Sequence, residues 1–375
     1  MKLEIATDKD NESILKFYTS FLRKGLVDFK LDRGSDFFSY YKSISSDHRT
    51  YLLKDPYDHI LATASFIFRD VLLNGRVEKM AFATDLRVSP TRKAIIEWTQ
   101  HFLPVIENMQ NEMDIQYFFS VLNLNEPHSL NAFVRPRQIK RPMPRYYLFR
   151  KFNIVTLHGQ YPWAAKGVSS LRIRPGSEAN FDALLAYLVK RSPYRLLSSI
   201  WDKQSFDDKM SRLQGFKLSD FLVAFDANEQ VVGCLSMWNS QGLMDYLPLS
   251  YSLPAHNFRQ FLKFFWLFGM TRRLTKPKRS TGDESPLNFR YLSNLHADNE
   301  DIFSTLLWEA FHRSEKDQFL MYAQIEKDFK ISPPKDWISS THKHALYSVL
   351  HPKIAMPEFL HPSVVLNPEI DPYII

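Results

Sequence analysis

The two halves of the chain repeat one order of predicted elements, and this repeat constrains the fold more than any other feature. Residues 2–8 alternate apolar and polar side chains as a short strand does, and apolar residues at helical spacing follow over residues 14–22. Residues 171–180 repeat this design, and apolar residues at helical spacing again follow over residues 181–188. Both halves are therefore predicted to begin with a strand, a polar cap and a helix.

A predicted hairpin comes next in each half. In the first half, residues 51–54 and 60–68 flank a turn that contains two Asp residues and a Pro. In the second half, residues 221–225 and 231–238 flank a turn of Asp, Ala, Asn and Glu. The flanking runs are rich in β-branched and aromatic residues, which favour strands.

The later segments also match in order. Asn74 and Gly75 predict a tight two-residue hairpin turn. The first half then gives a strand over 77–88, a helix over 92–109 and strands over 115–122 and 146–155; the second half gives a strand over 290–295, a helix over 302–312 and strands over 319–324 and 345–350. This order predicts an α/β fold of two tandem domains, each a mixed, mostly antiparallel sheet flanked by helices.

The length of 375 residues also favours two domains, at roughly 100–200 residues per domain. We place the first domain at residues 1–157 and a linker rich in Gly, Pro and Ser at 158–170. The second domain then covers residues 171–352. Five prolines after His351 predict an extended, Pro-rich tail over 353–375.

The composition is that of an ordinary globular protein, with 45% hydrophobic and 24% charged residues. The single cysteine, Cys234, forms no internal disulfide and fits a packed thiol, and no Cys/His spacing resembles a zinc site, so we expect no metal. The N-terminus has no apolar run of signal-peptide length, and no stretch reaches the 18 apolar residues that span a bilayer. These features predict a cytoplasmic protein without a membrane partner.

One aromatic segment, Phe258–Gly269, is followed by a basic run and has the composition of an interfacial membrane helix. A helix that is apolar nearly all round is more often buried, so we expect this segment to pack between the two domains. A second basic run, residues 131–151, carries seven Lys and Arg and no acid. It fits either phosphate binding or a solvated loop.

The third-to-fourth-strand region carries a family resemblance. Residues 60–68, 72–75 and 85–90, the last reading Asp-Leu-Arg-Val-Ser-Pro before a helix, resemble the corresponding strands and turn of the GNAT superfamily of acyl-CoA-dependent N-acyltransferases. The resemblance is specific over roughly residues 50–125. In the second half it rests on element order and on residues 232–236.

The resemblance implies that the fourth and fifth strands of each sheet splay apart and hold the pantetheine arm of an acyl-CoA, acetyl-CoA or another. It also implies a pyrophosphate at the start of the next helix, where unpaired N–H groups and the helix dipole favour an anion. The residues that it implies at the cofactor are Leu86, Arg87, Val88, Arg92, Lys93, Ala94 and Asn123.

The loop before that helix departs from the family pattern. The family follows Val-x-Pro with a basic residue and glycines, because glycine lets the backbone approach a pyrophosphate closely. This chain keeps Arg92 but has no glycine between Val88 and Trp98. The corresponding loop of the second half, residues 295–302, is acidic and also lacks glycine, and we expect it to repel a pyrophosphate.

Acyl transfer to an amine needs a base, a site for the thioester oxygen and an acid for the leaving thiolate. Family members often place a carboxylate on the fourth strand and a tyrosine after the fifth. Asp85 stands at the carboxylate position, although a structural hydrogen-bond acceptor is the commoner role there. Phe133 or a neighbour stands where the tyrosine is expected, and His128 is the candidate acid, with a surface histidine as the alternative.

Three further polar residues are candidates near the cleft. Asn123 and Asn125 fit contacts to amide groups of the cofactor or substrate, and they fit equally well a cap on the next helix. His296 stands at the matching point of the second half, before Asp298 and Glu300. Asn125 and His296 are the predicted substrate-binding residues.

The leading functional hypothesis is transfer of an acyl group, by expectation acetyl, from CoA to a small-molecule or peptide amine. A non-catalytic ligand-binding protein on the same scaffold is the second hypothesis, because the loops lack glycine. An aminoacyl-tRNA-dependent transferase of tandem GNAT architecture is the third, and it depends on the basic run at 131–151 alone. We therefore expect no nucleic-acid partner, and the sequence indicates no oligomeric state.

Overall fold

The computed structural model describes residues 1–126, 130–131, 133–134, 143–277, 285–361 and 363–375. The strands are β1 (Lys2–Ile5), β2 (Leu22–Arg23), β3 (Val27–Asp32), β4 (Asp47–Lys54), β5 (Ile60–Leu73), β6 (Arg76–Val88), β7 (Tyr117–Asn123), β8 (Arg145–Gln160), β9 (Arg172–Pro175), β10 (Ser198–Ser199), β11 (Phe221–Phe225), β12 (Val231–Trp238), β13 (Asp245–Tyr251), β14 (Phe289–Ala297), β15 (Phe319–Ile325) and β16 (Trp337–Leu350). The α-helices are α1 (Asn11–Thr19), α2 (Ser39–Ile44), α3 (Arg92–Met113), α4 (Phe181–Arg191), α5 (Lys203–Arg212), α6 (Leu253–Trp266) and α7 (Glu300–Arg313).

Thirteen of these strands form one sheet. Its order is β1-β4-β5-β6-β7-β16-β8-β15-β14-β12-β11-β9, and β10 pairs with β5. The β6–β7 and β14–β15 pairs are parallel and the others are antiparallel. The predicted α/β class with a mixed, mostly antiparallel sheet is confirmed.

The two halves meet inside this sheet by exchanging their last strands. β16, from the end of the second half, lies between β7 and β8, while β8, from the end of the first half, lies between β16 and β15. β8 continues to Gln160, so the first residues of the predicted linker belong to a strand. The predicted tail adds two short 3-10 turns, and Phe359 and Tyr373 in these turns are buried.

A second, three-stranded sheet of order β13-β3-β2 also joins the halves, because β13 belongs to the second half and β2 and β3 to the first. The sequence patterns did not predict this sheet. The predicted Asn74-Gly75 turn is confirmed, with both residues at positive φ, 52° and 77°.

The large sheet is covered on both faces in its first half. Helix α3 packs its buried face, which includes Trp98 and Phe102, on one side. Helices α1 and α2 cover the other side, where Tyr18 and Tyr41 join a core that extends into the second half. Burial on both faces explains why β5 reads as a nearly continuous apolar run.

Helix α6, which forms most of the predicted aromatic segment, does not pack between the halves as expected. Phe264, Leu267 and Phe268 are 57%, 70% and 64% exposed, while only Arg259 and Leu262 of the helix are buried. The Phe258 ring contacts His158 of β8, while the rings of Phe261, Phe264 and Phe265 pack on one another. None of the helices in the described ranges is long and apolar enough to cross a membrane.

Candidate active site

The site begins where two parallel strands separate. β6 and β7 pair from Met80 with Tyr117 to Ala83 with Ser120, and the pairing then stops although both strands continue. A cavity of about 600 Å³ opens at this point. The resemblance predicted such a separation between the fourth and fifth strands of the first half.

A β-bulge in β6 sets the geometry of the cavity wall. Thr63 of β5 pairs with Arg87, whereas Ser65 pairs with Thr84, so the extra residues of β6 bulge out between them. Asp85 lies in this bulge with a φ of 49°. Aspartate tolerates this left-handed conformation better than most residues, which explains its presence at a strained point of the strand.

Four donors surround the Asp85 carboxylate. Arg33 forms a salt bridge with Oδ2, and the Tyr41 hydroxyl donates a hydrogen bond of 2.6 Å to the same atom. The Tyr18 hydroxyl donates at 2.9 Å to Oδ1, and Arg87 Nη2 lies 3.8 Å from that oxygen. Burial opposes ionisation, but the charges of Arg33 and Arg87 outweigh it and lower the pKa of Asp85 to about 2. A carboxylate in this state is a weak base.

Arg33 is the hidden partner in this arrangement. Its side chain is 1% exposed, and its guanidinium lies between 4.4 and 5.6 Å from the ring centres of four aromatic side chains. Those rings belong to Tyr18, Phe37, Tyr40 and Tyr41. Sequence reasoning missed Arg33, because a single arginine in a loop carries no local signal of a carboxylate 52 residues away.

More cations lie along the same wall. Arg23 and Lys24 line the cavity together with Arg87, whose guanidinium stacks 4.7 Å from the ring centre of Tyr18. Arg23 and Arg87 both lower the pKa of Asp85 by their charge. The polar wall therefore lies on the side of the sheet that α1 covers.

The opposite wall is apolar and lies under α3. Phe66, Trp98, Phe102 and Phe133 line it, together with Tyr146 of β8. The Phe133 and Tyr146 ring centres lie 5.4 Å apart. Burial raises the pKa of Tyr146 far above its usual range, so its hydroxyl stays protonated. Tyr146 thus brings a tyrosine to a cavity that has none after β7, and sequence reasoning missed it because β8 reaches the cavity only in the fold.

His344 of β16 also lines the cavity, directly across from Asn123 of β7. Its Nδ1 lies 3.0 Å from the carbonyl oxygen of His342, which can only accept, so Nδ1 carries the hydrogen and Nε2 carries the lone pair. Burial lowers the pKa of His344 to about 4. The ring is therefore neutral at pH 7. Sequence reasoning did not find His344, because β16 comes from the other half of the chain.

The predicted cofactor residues lie on β6, α3 and β7. Leu86, Arg87 and Asn123 line the cavity, and Val88 ends β6 beside it. Thr91 caps α3 by accepting the Ala94 N–H at 3.3 Å, and Arg92 and Lys93 form the exposed first turn before it. The N–H groups of that first turn remain available to an anion.

The other predicted site residues do not lie together at this cavity. Asn125 lines the cavity, and its N–H donates to Asn123 Oδ1 at 2.9 Å in a local turn after β7. His128 lies outside the described residues. His296 lies in β14 of the second half, is 4% exposed and is not part of this cavity wall. Burial, and then the charges of Arg195 and Arg191, lower its pKa well below the usual range.

The second half repeats the strand separation but not the cavity. β14 and β15 pair only from Phe289 to Tyr291, and Asn294 then takes a φ of 48°. The gap that remains measures about 20 Å³, because Pro368, Glu369 and Ile370 line it from the tail side. The chain's own tail thus fills the position where the first half is open.

No protein-family model matches the chain, and no curated protein matches it significantly. Solved structures do match. Saccharomyces cerevisiae N-myristoyltransferase with bound myristoyl-CoA is 11% identical, with 92% of this chain and 82% of that chain covered and a TM-score of 0.50. A GCN5-related glucosamine N-acetyltransferase region of a fungal multi-domain GH3 beta-N-acetylglucosaminidase is 10% identical, with 92% and 38% covered and a TM-score of 0.51.

These similarities establish the class of fold. The chain has a GNAT-like fold, as the residues from Ile60 to Pro90 predicted.

Proposed function

We propose that the protein is an acyl-CoA-dependent N-acyltransferase with one cofactor site, in the wedge between β6 and β7. The observation that carries the proposal is the cavity of about 600 Å³ at the strand separation, beside the exposed N-terminus of α3. Both structures with this fold that were compared above are named as N-acyltransferases. The acceptor class that fits is a small-molecule or peptide amine, and acetyl is the acyl group that we propose.

The proposed cofactor contacts follow from the wedge. Pantetheine lies along the exposed backbone edge of β6 from Leu86 to Val88, where β7 no longer pairs with it. Arg92 and Lys93 provide positive charge at the first turn of α3, and its N–H groups face the pyrophosphate. These charges take the place of the missing glycines.

The proposed chemistry uses neutral groups. The neutral acceptor amine attacks the thioester carbon, the C–N bond forms as the C–S bond breaks, and the proton that the nitrogen loses balances the one that the leaving thiolate gains. The Nε2 lone pair of His344 accepts a hydrogen bond from the amine, and the Tyr146 hydroxyl donates one to the developing negative charge. Asp85 acts as a positioning residue, because its oxygens are already occupied by Arg33, Tyr18 and Tyr41.

Calorimetry with acetyl-CoA and with a series of longer acyl-CoAs tests the cofactor site. We expect one molecule bound per chain, because the second wedge is filled by the tail. Arg92→Glu should weaken binding at least tenfold, whereas Arg76→Glu, an exposed arginine at the other end of β6, should leave it unchanged. If no thioester binds, the proposal is wrong and a ligand-binding protein of another kind remains.

Release of free thiol in the presence of amines tests the chemistry. Tyr146→Phe should lower kcat without changing the affinity for acyl-CoA. Tyr147→Phe is the matched control, because adjacent residues of a strand point to opposite faces of the sheet. Equal kcat values for the two variants would exclude Tyr146 from the reaction.

A further inference from the structure

The polar wall of the cavity holds more positive than negative charge. Asp85 and Glu126 are the acidic side chains that line it, the terminal main-chain carboxylate of Ile375 is a third negative group, and Arg23, Lys24 and Arg87 are the cations. Arg33 adds a fourth positive charge directly behind Asp85. The neutral ring of His344 does not change this balance.

Asp85 does not compensate the excess. Its close partner is Arg33, which is fully enclosed, so one positive and one negative charge cancel inside the wall. Arg87 lies 3.8 Å from the other carboxylate oxygen and its side chain is 12% exposed. Its Nε is buried and has no hydrogen-bond partner among the described residues. A guanidinium with an unused donor in a concave, partly buried site is strongly attractive to an anion.

The position of Arg87 separates this charge from the proposed cofactor phosphates. Arg87 stacks on Tyr18 of α1, on the side of the sheet opposite to α3. Leu86 and Val88, its neighbours in β6, belong instead to the core under α3. The first turn of α3 is therefore the phosphate site, and Arg87 faces the space that is left for the acceptor.

We propose that the acceptor amine carries an anionic oxyacid group, a carboxylate or a phosphate, which Arg87 binds with Arg23 at the α1 side of the cavity. This inference rests on the proposed acyl transfer. Guanidinium groups bind both anions through paired N–H donors, and Arg87 has such donors to offer. The group fixes the acceptor so that its amine reaches the thioester between the polar and the apolar walls.

Product analogues in matched pairs test the inference without knowledge of the natural acceptor. A pool of N-acetyl amino acids is compared with their N-acetyl amides, and N-acetyl-phosphoethanolamine with N-acetyl-ethanolamine, by ligand-observed NMR on the full chain with and without CoA. We expect at least tenfold tighter binding of the anionic member in one or both arms. The arm with the larger ratio identifies the anion as carboxylate or phosphate.

Arg87→Met should abolish this ratio, and Arg87→Lys should retain part of it. Arg23→Met gives a second variant on an exposed strand, for use if Arg87→Met does not fold. Arg172→Met, an exposed arginine on the far edge strand β9, is the control.

Three results would overturn the inference: equal binding of anionic and neutral members, no binding of either while acyl-CoA binds, or a loss of acyl-CoA affinity in Arg87→Met, which would assign Arg87 to the cofactor. If acyl-CoA does not bind the unaltered protein, the proposed function fails by itself. Anion binding without CoA then still measures whether Arg87 forms an anion site.

Discussion

Asp85 and Asn294 occupy the same position in the two halves of the sheet. Both lie in a bulge, of β6 and β14 respectively, with φ of 49° and 48°, opposite a register shift in the neighbouring strand. The Asp85 carboxylate binds Arg33, whereas the Asn294 amide donates to Ser236 Oγ at 2.7 Å and accepts from Lys209 Nζ at 3.1 Å. The bulge residue thus carries a charge only in the half whose strand separation holds the large cavity.

The first prediction follows from this pair. Asp85→Asn should keep the bulge, because asparagine tolerates positive φ as Asn294 does. It should still lower the free energy of unfolding by about 3–5 kcal/mol, because it leaves the buried guanidinium of Arg33 without its counter-charge. Urea unfolding measures the difference.

The double variant Arg33→Met/Asp85→Asn separates charge from packing. It should be more stable than Asp85→Asn alone, because no unpaired charge remains inside the wall. A double variant that is less stable than Asp85→Asn would mean that the cation–π contacts of Arg33 with the rings around it stabilise the fold by more than its unpaired charge destabilises it.

The local elements could be predicted from the sequence because their signals are local. The strands Phe221–Phe225 and Val231–Trp238 were predicted at their observed bounds, since both are apolar runs bordered by Asp and Asn. Helix α3 was predicted to begin at Arg92, as it does, but it continues four residues beyond the predicted end at Met109. The residue pattern within a strand does not depend on which strand pairs with it, so these elements could be predicted from the sequence.

The exchange of β8 and β16 could not be predicted in the same way. Ala345 pairs with Leu122, more than 200 positions earlier in the chain, and nothing in a strand's own alternation specifies a partner at that distance. The missed site residues share this origin. Arg33 meets Asp85 only through a loop, and Tyr146 and His344 reach the cavity only once the next strand and the other half of the chain are in place.

Gly159 gives the second prediction. The Gly, Pro and Ser residues around it predicted a linker, but Gly159 lies in β8. A Cβ at this position would meet the Met270 carbonyl oxygen and, at 2.7 Å, Thr271 Cγ2. Gly159→Ala should therefore lower the free energy of unfolding by about 1–3 kcal/mol through overpacking. Gly25→Ala, where the nearest atom lies at 3.7 Å, should change it by less than about 0.5 kcal/mol in the same urea titration. Similar values for both would mean that the Gly159 contact relaxes freely.

The third prediction concerns stability in acid. Burial lowers the pKa of His158 to about 3, and it is the main cause that lowers the pKa of His296 well below its usual range. The unfolded chain takes up protons at these residues below about pH 6.5, while the folded chain does not. The free energy of unfolding should therefore fall as pH drops from 6.5 towards 4, by up to about 1.4 kcal/mol per pH unit for each histidine.

The contribution of Asp85 has a different window. Its pKa of about 2 lies below its ordinary value, so the stability that it adds is lost only as pH falls from about 4 towards 2. Urea unfolding at pH 7, 6, 5 and 4.5 isolates the contribution of the histidines. His158→Gln should reduce the slope of the free energy of unfolding against pH by the amount that corresponds to the uptake of about one proton. An unchanged slope in that variant would show that His158 does not stay neutral in the fold.

The last prediction contrasts a buried residue of α6 with exposed rings of α6 and of the turn that follows it. Leu262 is fully buried and the Thr271 hydroxyl donates to its carbonyl oxygen, whereas Phe264 and Phe268 are 57% and 64% exposed. Leu262→Ala should lower the free energy of unfolding by about 2–5 kcal/mol, because it removes a packed side chain. Phe264→Ser/Phe268→Ser should cost less than about 1 kcal/mol, because surface changes away from packed contacts have small effects. If the double serine variant is as unstable as Leu262→Ala, these rings are covered in solution by a second surface, and size-exclusion chromatography of the two variants would then reveal its loss as a change in oligomeric state.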